Sequence, residues 1–180
     1  FGVTSLSPSF GPVDGDTAIT VYGYGFEDST HLKCSFGGVH SDHVTLISET
    51  EIVCDLPPHV QNTDAIVTLG VTINDQDYSP DKATFTYTYS PIFSSISPAS
   101  GPVNGGTRVL INGYNFVDSP STLKCSFGDF SNGDSVVGAR FISSTQIECH
   151  PAPMTDQTEG VDLYFSMNGA DFLSTGRVFT

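Results

Sequence analysis

SPSFGPVDGDT, at Ser7–Thr17, returns ninety residues later as SPASGPVNGGT, at Ser97–Thr107. The match continues in the same order through three further pairs of segments: Gly23–Phe26 with Gly113–Phe116, Leu32–Gly37 with Leu123–Gly128, and Thr50–Cys54 with Thr145–Cys149. Ordered self-similarity at one period is the signature of a repeat. The chain therefore divides into two modules of about 90 residues, a typical size for a small domain. We place them at residues 1–89 and 90–180.

Each module reads as a series of short strands. The segments Thr17–Tyr22 and Thr107–Asn112 are rich in β-branched residues, and Ala65–Ile73 alternates apolar with mostly small or polar residues. A period of two places one face of a strand on a core and the other in water, which is typical of antiparallel sheets. Turn signals interrupt the strands at short intervals, and no window of ten or more residues has helical periodicity. These patterns predict an all-β protein made of two tandem Ig-like β-sandwiches.

One position of the repeat predicts a backbone conformation. Gly25 in the first copy is matched by Asn115 in the second. Glycine and asparagine are the residues that best tolerate a positive φ. We therefore expect a left-handed turn at this position in both copies.

The four cysteines fall two to a module, at matching places. Cys34 and Cys54 lie on predicted strands of the first copy, and Cys125 and Cys149 on those of the second. Of the three connectivities that four cysteines allow, the bonds Cys34–Cys54 and Cys125–Cys149 are the most economical. Free buried thiols are the alternative. Disulfides would indicate an oxidising compartment, hence secretion or the cell surface.

The ordered motifs Ser-Pro-x-x-Gly-Pro-x-x-Gly-x-Thr, Gly-Tyr-Gly/Asn-Phe, Cys-x-Phe-Gly and Thr-x-Ile-x-Cys together resemble the IPT/TIG family of Ig-like domains. The resemblance covers about Val3 to Thr88 and Phe93 to Thr180. Such domains occur in plexins, in the hepatocyte growth factor receptor, in fibrocystin-like and allorecognition proteins, in transcription factors and in bacterial starch-acting enzymes. The cysteine pair is similar to that of the extracellular members. Two features depart from the family pattern. Asp16 stands where the family usually has the second glycine of Gly-Gly-Thr, and the second copy stops near its last strand.

Charge and hydropathy exclude several kinds of partner. The net charge is −14, with −10 on residues 1–90 (12 acids, 2 bases) and −4 on residues 91–180 (8 acids, 4 bases). Nucleic acids and anionic lipids attract clustered Lys and Arg, so this surface argues against both. No apolar stretch approaches the ~18 residues of a membrane span. Phe1 is not an initiator Met and no signal peptide follows it, so we interpret the chain as a piece of a longer protein, attached to a membrane only through that parent.

Candidate metal ligands are scattered and incomplete. His40, Asp42 and His43 lie in one predicted loop, Asp14 and Asp16 flank Gly15, and Asp75, Asp77 and Asp81 surround a predicted hairpin. Neither a closed zinc set nor the full spacing of a calcium loop is present, and the second copy has no equivalent of His40–His43 at Ser131–Ser135. No common catalytic motif occurs. We predict no catalytic residues, metal or cofactor, with calcium as the weaker alternative.

Aromatic residues in loops are better candidates for partner contacts. Phe10, Tyr78, Phe130 and Phe172 lie in predicted loops or at strand ends. Exposed aromatic side chains frequently dominate the energetics of interfaces. Phe130 is the first choice, because the first copy has no aromatic counterpart and places Val39 at this point of its loop.

The sequence favours a non-catalytic ectodomain segment of a cell-surface receptor or adhesion protein that spaces and presents a protein-binding surface. The partner would be a protein on the same or an opposing cell surface, including a second copy of this chain. The alternative is an accessory module of a secreted polysaccharide-acting enzyme. The absence of Trp argues mildly against it.

Overall fold

The computed structural model describes residues 1–80, 83–131, 133–154 and 160–180. The chain forms two compact units, Phe1–Ser90 and Pro91–Thr180, which divide one residue after the predicted boundary. The backbone N–H of Tyr89 donates a 2.8 Å hydrogen bond to the carboxylate of Asp64. This contact holds Tyr89, which follows the last strand of the first domain, to that domain. None of the described residues forms a helix long and apolar enough to span a membrane.

The strands described in the first domain form two facing sheets. The strands are β1 (Gly2–Ser7), β2 (Phe10–Pro12), β3 (Ala18–Tyr24), β4 (Lys33–Phe36), β5 (Val39–His40), β6 (Val44–Ser48), β7 (Glu51–Asp55), β8 (Ala65–Thr72) and β9 (Ala83–Thr88). One sheet has the order β1-β3-β7-β6 and the other β2-β9-β8-β4-β5. All pairs are antiparallel except β2 with β9.

Strand alternation builds the core of this domain. Ile19, Val21 and Ile52 of one sheet and Leu69, Val71 and Phe85 of the other are fully buried. Burying each such side chain contributes about 1.5–3 kcal/mol. The Cys34–Cys54 disulfide joins β4 to β7, one strand from each sheet, so it crosses this core.

Among the described residues, the second domain repeats this path without a counterpart of the short strand β2 and with one change of strand pairing. Its strands are β10 (Ile92–Ser97), β11 (Val109–Tyr114), β12 (Lys124–Phe127), β13 (Val136–Ser143), β14 (Gln146–Cys149), β15 (Val161–Ser166) and β16 (Leu173–Phe179). They form the order β10-β11-β14-β13-β12-β15-β16. The Cys125–Cys149 disulfide joins β12 to β14. Phe165 lies at the centre of the core, in edge-to-face contact with Phe93 and Phe116.

The change lies in β13, which pairs with β12 through Val136–Gly138 and with β14 through Ala139–Ser143. In the first domain the same path is divided into β5 and β6. Three residues, Ser41–His43, separate His40 from Val44, whereas two separate their counterparts Val136 and Ala139. The extra residue breaks the strand, and the hydroxyl of Ser41 donates to the carbonyl oxygen of Asp55 at the break.

The structure confirms the predicted fold class and the predicted left-handed turn. Gly25 has a φ of 70° and Asn115 a φ of 65°. Asp16, the departure from Gly-Gly-Thr, also has a positive φ of 68°, close to the 77° of its counterpart Gly106. Asp is one of the few residues that adopt this conformation at moderate cost.

Candidate functional site

Two of the four predicted contact residues meet on the second domain. Phe130 lies in the loop between β12 and β13, and Phe172 lies just before β16. Their rings are stacked, with centroids 4.8 Å apart and planes 11° apart. Tyr164 of β15 meets Phe130 edge to face, with centroids 5.0 Å apart. Phe130 nevertheless remains 37% exposed, so the pair forms an aromatic wall that faces solvent.

This wall borders an open groove of about 600 Å³ on the outer face of β12 and β13. Val136, Gly138 and Lys124 also line the groove, and Pro120 and Ser121 form part of its rim. A Cβ atom built on Gly138 would meet no heavy atom within 4 Å, so the space above this residue is open. Aromatic and aliphatic side chains and the side chain of Lys124 therefore line one groove.

Lys124 differs from its counterpart in the first domain. Lys33 is bound to both carboxylate oxygens of Asp75, at 2.6 and 2.8 Å, and the hydrogen bond from Lys33 lowers the pKa of Asp75. Gly169 occupies the place of Asp75 in the second domain. Across the ranges that the structure describes, Lys124 makes no ion pair.

The equivalence of Asp75 and Gly169 follows from matching turns. The side-chain oxygen of Asn74 accepts the backbone N–H groups of Gln76 and Asp77. The side-chain oxygen of Asn168 accepts those of Ala170 and Asp171 in the same way. Each asparagine also donates its amide to the aspartate three residues later. Asp75 and Gly169 both follow these asparagines with a positive φ, 63° and 78°.

The first domain carries a smaller pocket at the corresponding place. Tyr78, the counterpart of Phe172, lies 3.2 Å from His40 between the hydroxyl oxygen and Nε2. Tyr78 packs over Gly70, the counterpart of Tyr164. The open pocket beside them has a volume of about 390 Å³. It lacks the stacked aromatic wall.

Phe10 and Tyr78 share a sheet face but are not brought together. Phe10 of β2 pairs with Thr86, which pairs in turn with Ile66. Tyr78 contacts Gly70, four residues farther along β8. Phe10 is half-buried. Only the second domain therefore assembles its two candidate residues into one surface.

Family comparison agrees with this architecture. The model of the IPT/TIG domain matches residues 2–87 and 91–180. The chain belongs to the IPT/TIG domain family. The structure is also similar to the extracellular region of plexin A4, with a TM-score of 0.60, 18% sequence identity, and coverage of 98% of this chain and 16% of that one.

The two IPT/TIG domains have relatives among much longer proteins. Human fibrocystin-L is 25% identical over 188 aligned residues, covering 95% of this chain and 4% of the relative. Zebrafish plexin A3 is 30% identical over 118 residues, covering 62% of this chain and 6% of the relative. The chain thus spans only a few per cent of the length of these relatives.

Three of the candidate metal ligands, Asp75, Asp77 and His40, have other contacts. Asp75 is bound to Lys33 and Asp77 to Asn74, while Asp81 lies outside the described residues. His40 contacts Tyr78. Asp14 and Asp16 are exposed and flank the turn closed by the bond from Gly15 N–H to the carbonyl oxygen of Pro12. Among the described residues, no three His, Cys, Asp or Glu side chains are grouped so as to hold a metal ion.

Two details of the sequence alignment were wrong. Val39 pairs with Phe36, and the residue that faces the corresponding Phe127 is Ser135. Phe130 therefore lies in a loop that is longer in the second domain and has no counterpart at Val39. Likewise, His40 corresponds to Val136 rather than to a residue within Ser131–Ser135.

A cluster of charged residues around β14 of the second domain was not predicted from the sequence. Glu148 of β14 is only 8% exposed in its side chain. It accepts hydrogen bonds from Arg108, at 2.6 Å, and His150, at 3.1 Å, and Arg140 lies 3.8 Å away. The bonds from His150 and Arg108 lower the pKa of Glu148. The first domain has Val53 at the equivalent position. The exchange of this valine for a glutamate, in a strand that otherwise matches, is the feature of the sequence that could have indicated the cluster.

We expect Glu148 to make the second domain sensitive to acid. A carboxyl whose pKa is lowered by folding stabilises the folded state above its ordinary pKa of about 4.3, and this stabilisation is lost as the pH falls through the folded value. Glu148→Gln should therefore destabilise the second domain at pH 7 and have a much smaller effect near pH 3. Urea unfolding at both pH values measures the difference. The first domain, with Val53, serves as the internal reference, and an equal effect at both pH values would contradict the assignment.

Proposed function

We propose that this chain is a non-catalytic, extracellular segment of a cell-surface receptor or adhesion protein, and that its second IPT/TIG domain presents the protein-binding surface. The similarity to fibrocystin-L and to plexins supports the receptor assignment. The two disulfides fit an oxidising, extracellular location. The segment acts without a cofactor, and the parent protein provides any attachment to a membrane.

The exposed stack of Phe130 and Phe172 is the observation that carries this proposal. Both domains bury phenylalanine in their cores, but among the described residues only the second domain also assembles a solvent-facing aromatic wall beside a groove. Aromatic side chains of this kind supply most of the affinity of many protein interfaces. The first domain, with Tyr78 and His40 at the same place, would contribute spacing rather than the main contact.

Binding of the labelled 180-residue chain to intact cells tests the proposal. Because the chain must recognise a protein, pretreating the cells with trypsin should abolish binding. Phe130→Ser combined with Phe172→Ser should weaken binding at least about tenfold, since loss of a hot spot costs about 2 kcal/mol or more. Ile66→Ser, at a 73% exposed position of the first domain, is the matched control and should have little effect.

Two results would contradict the proposal. Unchanged binding by the double variant would remove the aromatic wall from the interface. Binding that survives trypsin and disappears after glycosidase treatment would favour the polysaccharide-binding alternative instead. The same assay with cells coated with this chain tests homophilic binding.

A further inference from the structure

We infer that the groove beside Phe130 and Phe172 recognises an apolar side chain adjacent to a carboxylate on the partner protein, with Lys124 as the counter-ion of that carboxylate. This inference rests on the proposed function and specifies the chemistry of the partner. Three features of the groove support it: a lysine without an internal ion-pair partner, an aromatic wall, and an open floor.

Comparison of the two repeats shows why Lys124 lacks an internal partner. In the first domain the ammonium group of Lys33 is occupied by Asp75. In the second domain a Cβ atom built on Gly169 would lie 3.8 Å from both Cε and Nζ of Lys124. Lys124 therefore extends toward the place where its internal partner would begin, but the side chain that would carry the carboxylate is missing. A carboxylate from outside can take that place.

Two nearby carboxylates have other partners. Asp171 accepts the side-chain amide of Asn168 at 2.7 Å. Asp129 precedes Phe130, but its carboxylate accepts hydrogen bonds from the backbone N–H and the hydroxyl of Ser131, at 2.9 and 2.6 Å. These bonds lower the pKa of Asp129 and hold it in its own turn. On a chain with only six Lys and Arg, an ammonium group without a partner among the described residues is an unusual local feature.

The apolar wall and the floor determine what accompanies the carboxylate. Phe130 and Phe172 present aromatic surface, and Val136 and Gly138 form a floor without a protruding side chain at Gly138. A volume of about 600 Å³ is within the range of pockets that hold small ligands, about 300–1,000 Å³. It accommodates one large side chain together with the adjacent carboxylate.

The test uses three soluble probes and amide chemical shifts of the 180-residue chain. The probes are 3-phenylpropionate, its uncharged analogue 3-phenylpropan-1-ol, and cellohexaose. We expect the carboxylate to shift the amides of Lys124, Phe130 and Phe172 and to bind about three- to fivefold more tightly than the alcohol, as for an exposed ion pair. Raising the salt concentration should reduce this preference.

Four variants assign the preference to residues. Lys124→Gln should leave the two phenyl probes with equal affinity, whereas Phe130→Ser should weaken both. Gly169→Asp should also remove the preference, because it restores the carboxylate that Asp75 provides in the first domain, where a non-glycine residue already adopts a positive φ. Lys33→Gln is the matched control and should change nothing in the second domain.

The outcomes separate this inference from the proposed function. Equal binding of the acid and the alcohol by the unmodified chain, with shifts at the groove, would overturn the role of Lys124 and leave the aromatic surface intact. Failure of both phenyl probes to shift the amides of the groove would overturn the inference, and the cell-binding experiment with the Phe130 and Phe172 variants would then decide the proposed function separately. Binding of cellohexaose without any preference for the acid would overturn the inference in favour of a carbohydrate partner.

Discussion

Replacing Gly113 with alanine is expected to destabilise the second domain by about 3 kcal/mol, the upper range for overpacking a closed site. A Cβ atom at this position would lie 2.1 Å from the carbonyl oxygen of Ile92 and 2.8 Å from the ring of Phe116. The first of these atoms belongs to the backbone of the neighbouring strand β10, so it cannot move without disturbing strand pairing. Urea unfolding of the 180-residue chain measures the loss.

The site of the clash is a β-bulge that both domains share. Gly113 faces Phe93, where the register of β10 against β11 shifts, and Gly23 faces Val3 at the same shift between β1 and β3. A Cβ atom on Gly23 would likewise lie 2.1 Å from the carbonyl oxygen of Gly2. Gly23→Ala should therefore have a comparable effect on the first domain. Glycine at a bulge commonly marks such a close backbone approach.

Gly138→Ala is the matched control for Gly113→Ala. Both glycines lie in strands of the second domain and neither has a positive φ, but a Cβ atom on Gly138 would meet nothing within 4 Å. We expect this variant to be neutral or slightly stabilising, because alanine loses less backbone entropy on folding than glycine. Equal destabilisation by both variants would mean that strand flexibility, and not the bulge, requires glycine.

The fold could be predicted from the sequence because two independent signals agree. The repeat gave the domain count, and strand alternation such as that of Ala65–Ile73 gave the sandwich class. The continuous strand β13 could not be predicted. It depends on one residue fewer between Val136 and Ala139 than between His40 and Val44, and a single-residue difference changes the pairing path without changing the composition.

The candidate site was predictable in part. Phe130 and Phe172 could be selected as aromatic residues in loops, but they are 42 positions apart in sequence. Their stacking depends on how the longer loop after β12 returns to the sheet. Tyr164 was missed because it lies within β15, far in sequence from the loop that brings Phe130 against it. Its outward position follows from the alternation of β15, in which Leu163 and Phe165 are buried and Asp162 is exposed. That Lys124 lacks an ion-pair partner could likewise have been predicted from the replacement of Asp75 by Gly169. This replacement is recognised once the two turns are aligned.

Removing either disulfide is expected to destabilise the domain that contains it by as much as Gly113→Ala destabilises the second domain. The other domain should keep its stability. Cys34 and Cys54 close a loop with a sequence separation of 20 residues, and Cys125 and Cys149 one of 24. Closing loops of this length stabilises a protein by about 3 kcal/mol through the entropy of the unfolded chain. Domains of this size bury only about 60–65% of their unfolded surface, so this contribution is a large fraction of their stability.

The double variant Cys34→Ala/Cys54→Ala should lower the midpoint temperature of the first domain by more than 10 °C, since about 1 kcal/mol corresponds to about 4–8 °C in a domain of 60–100 residues. Scanning calorimetry should show this transition moving while that of the second domain stays in place. Cys125→Ala/Cys149→Ala should give the reverse pattern. Paired substitution avoids a free thiol, and the alanines keep the buried positions apolar. If either variant shifted both transitions equally, the two domains would unfold as one cooperative unit, because a covalent bond inside one independent domain does not restrict the unfolded state of the other.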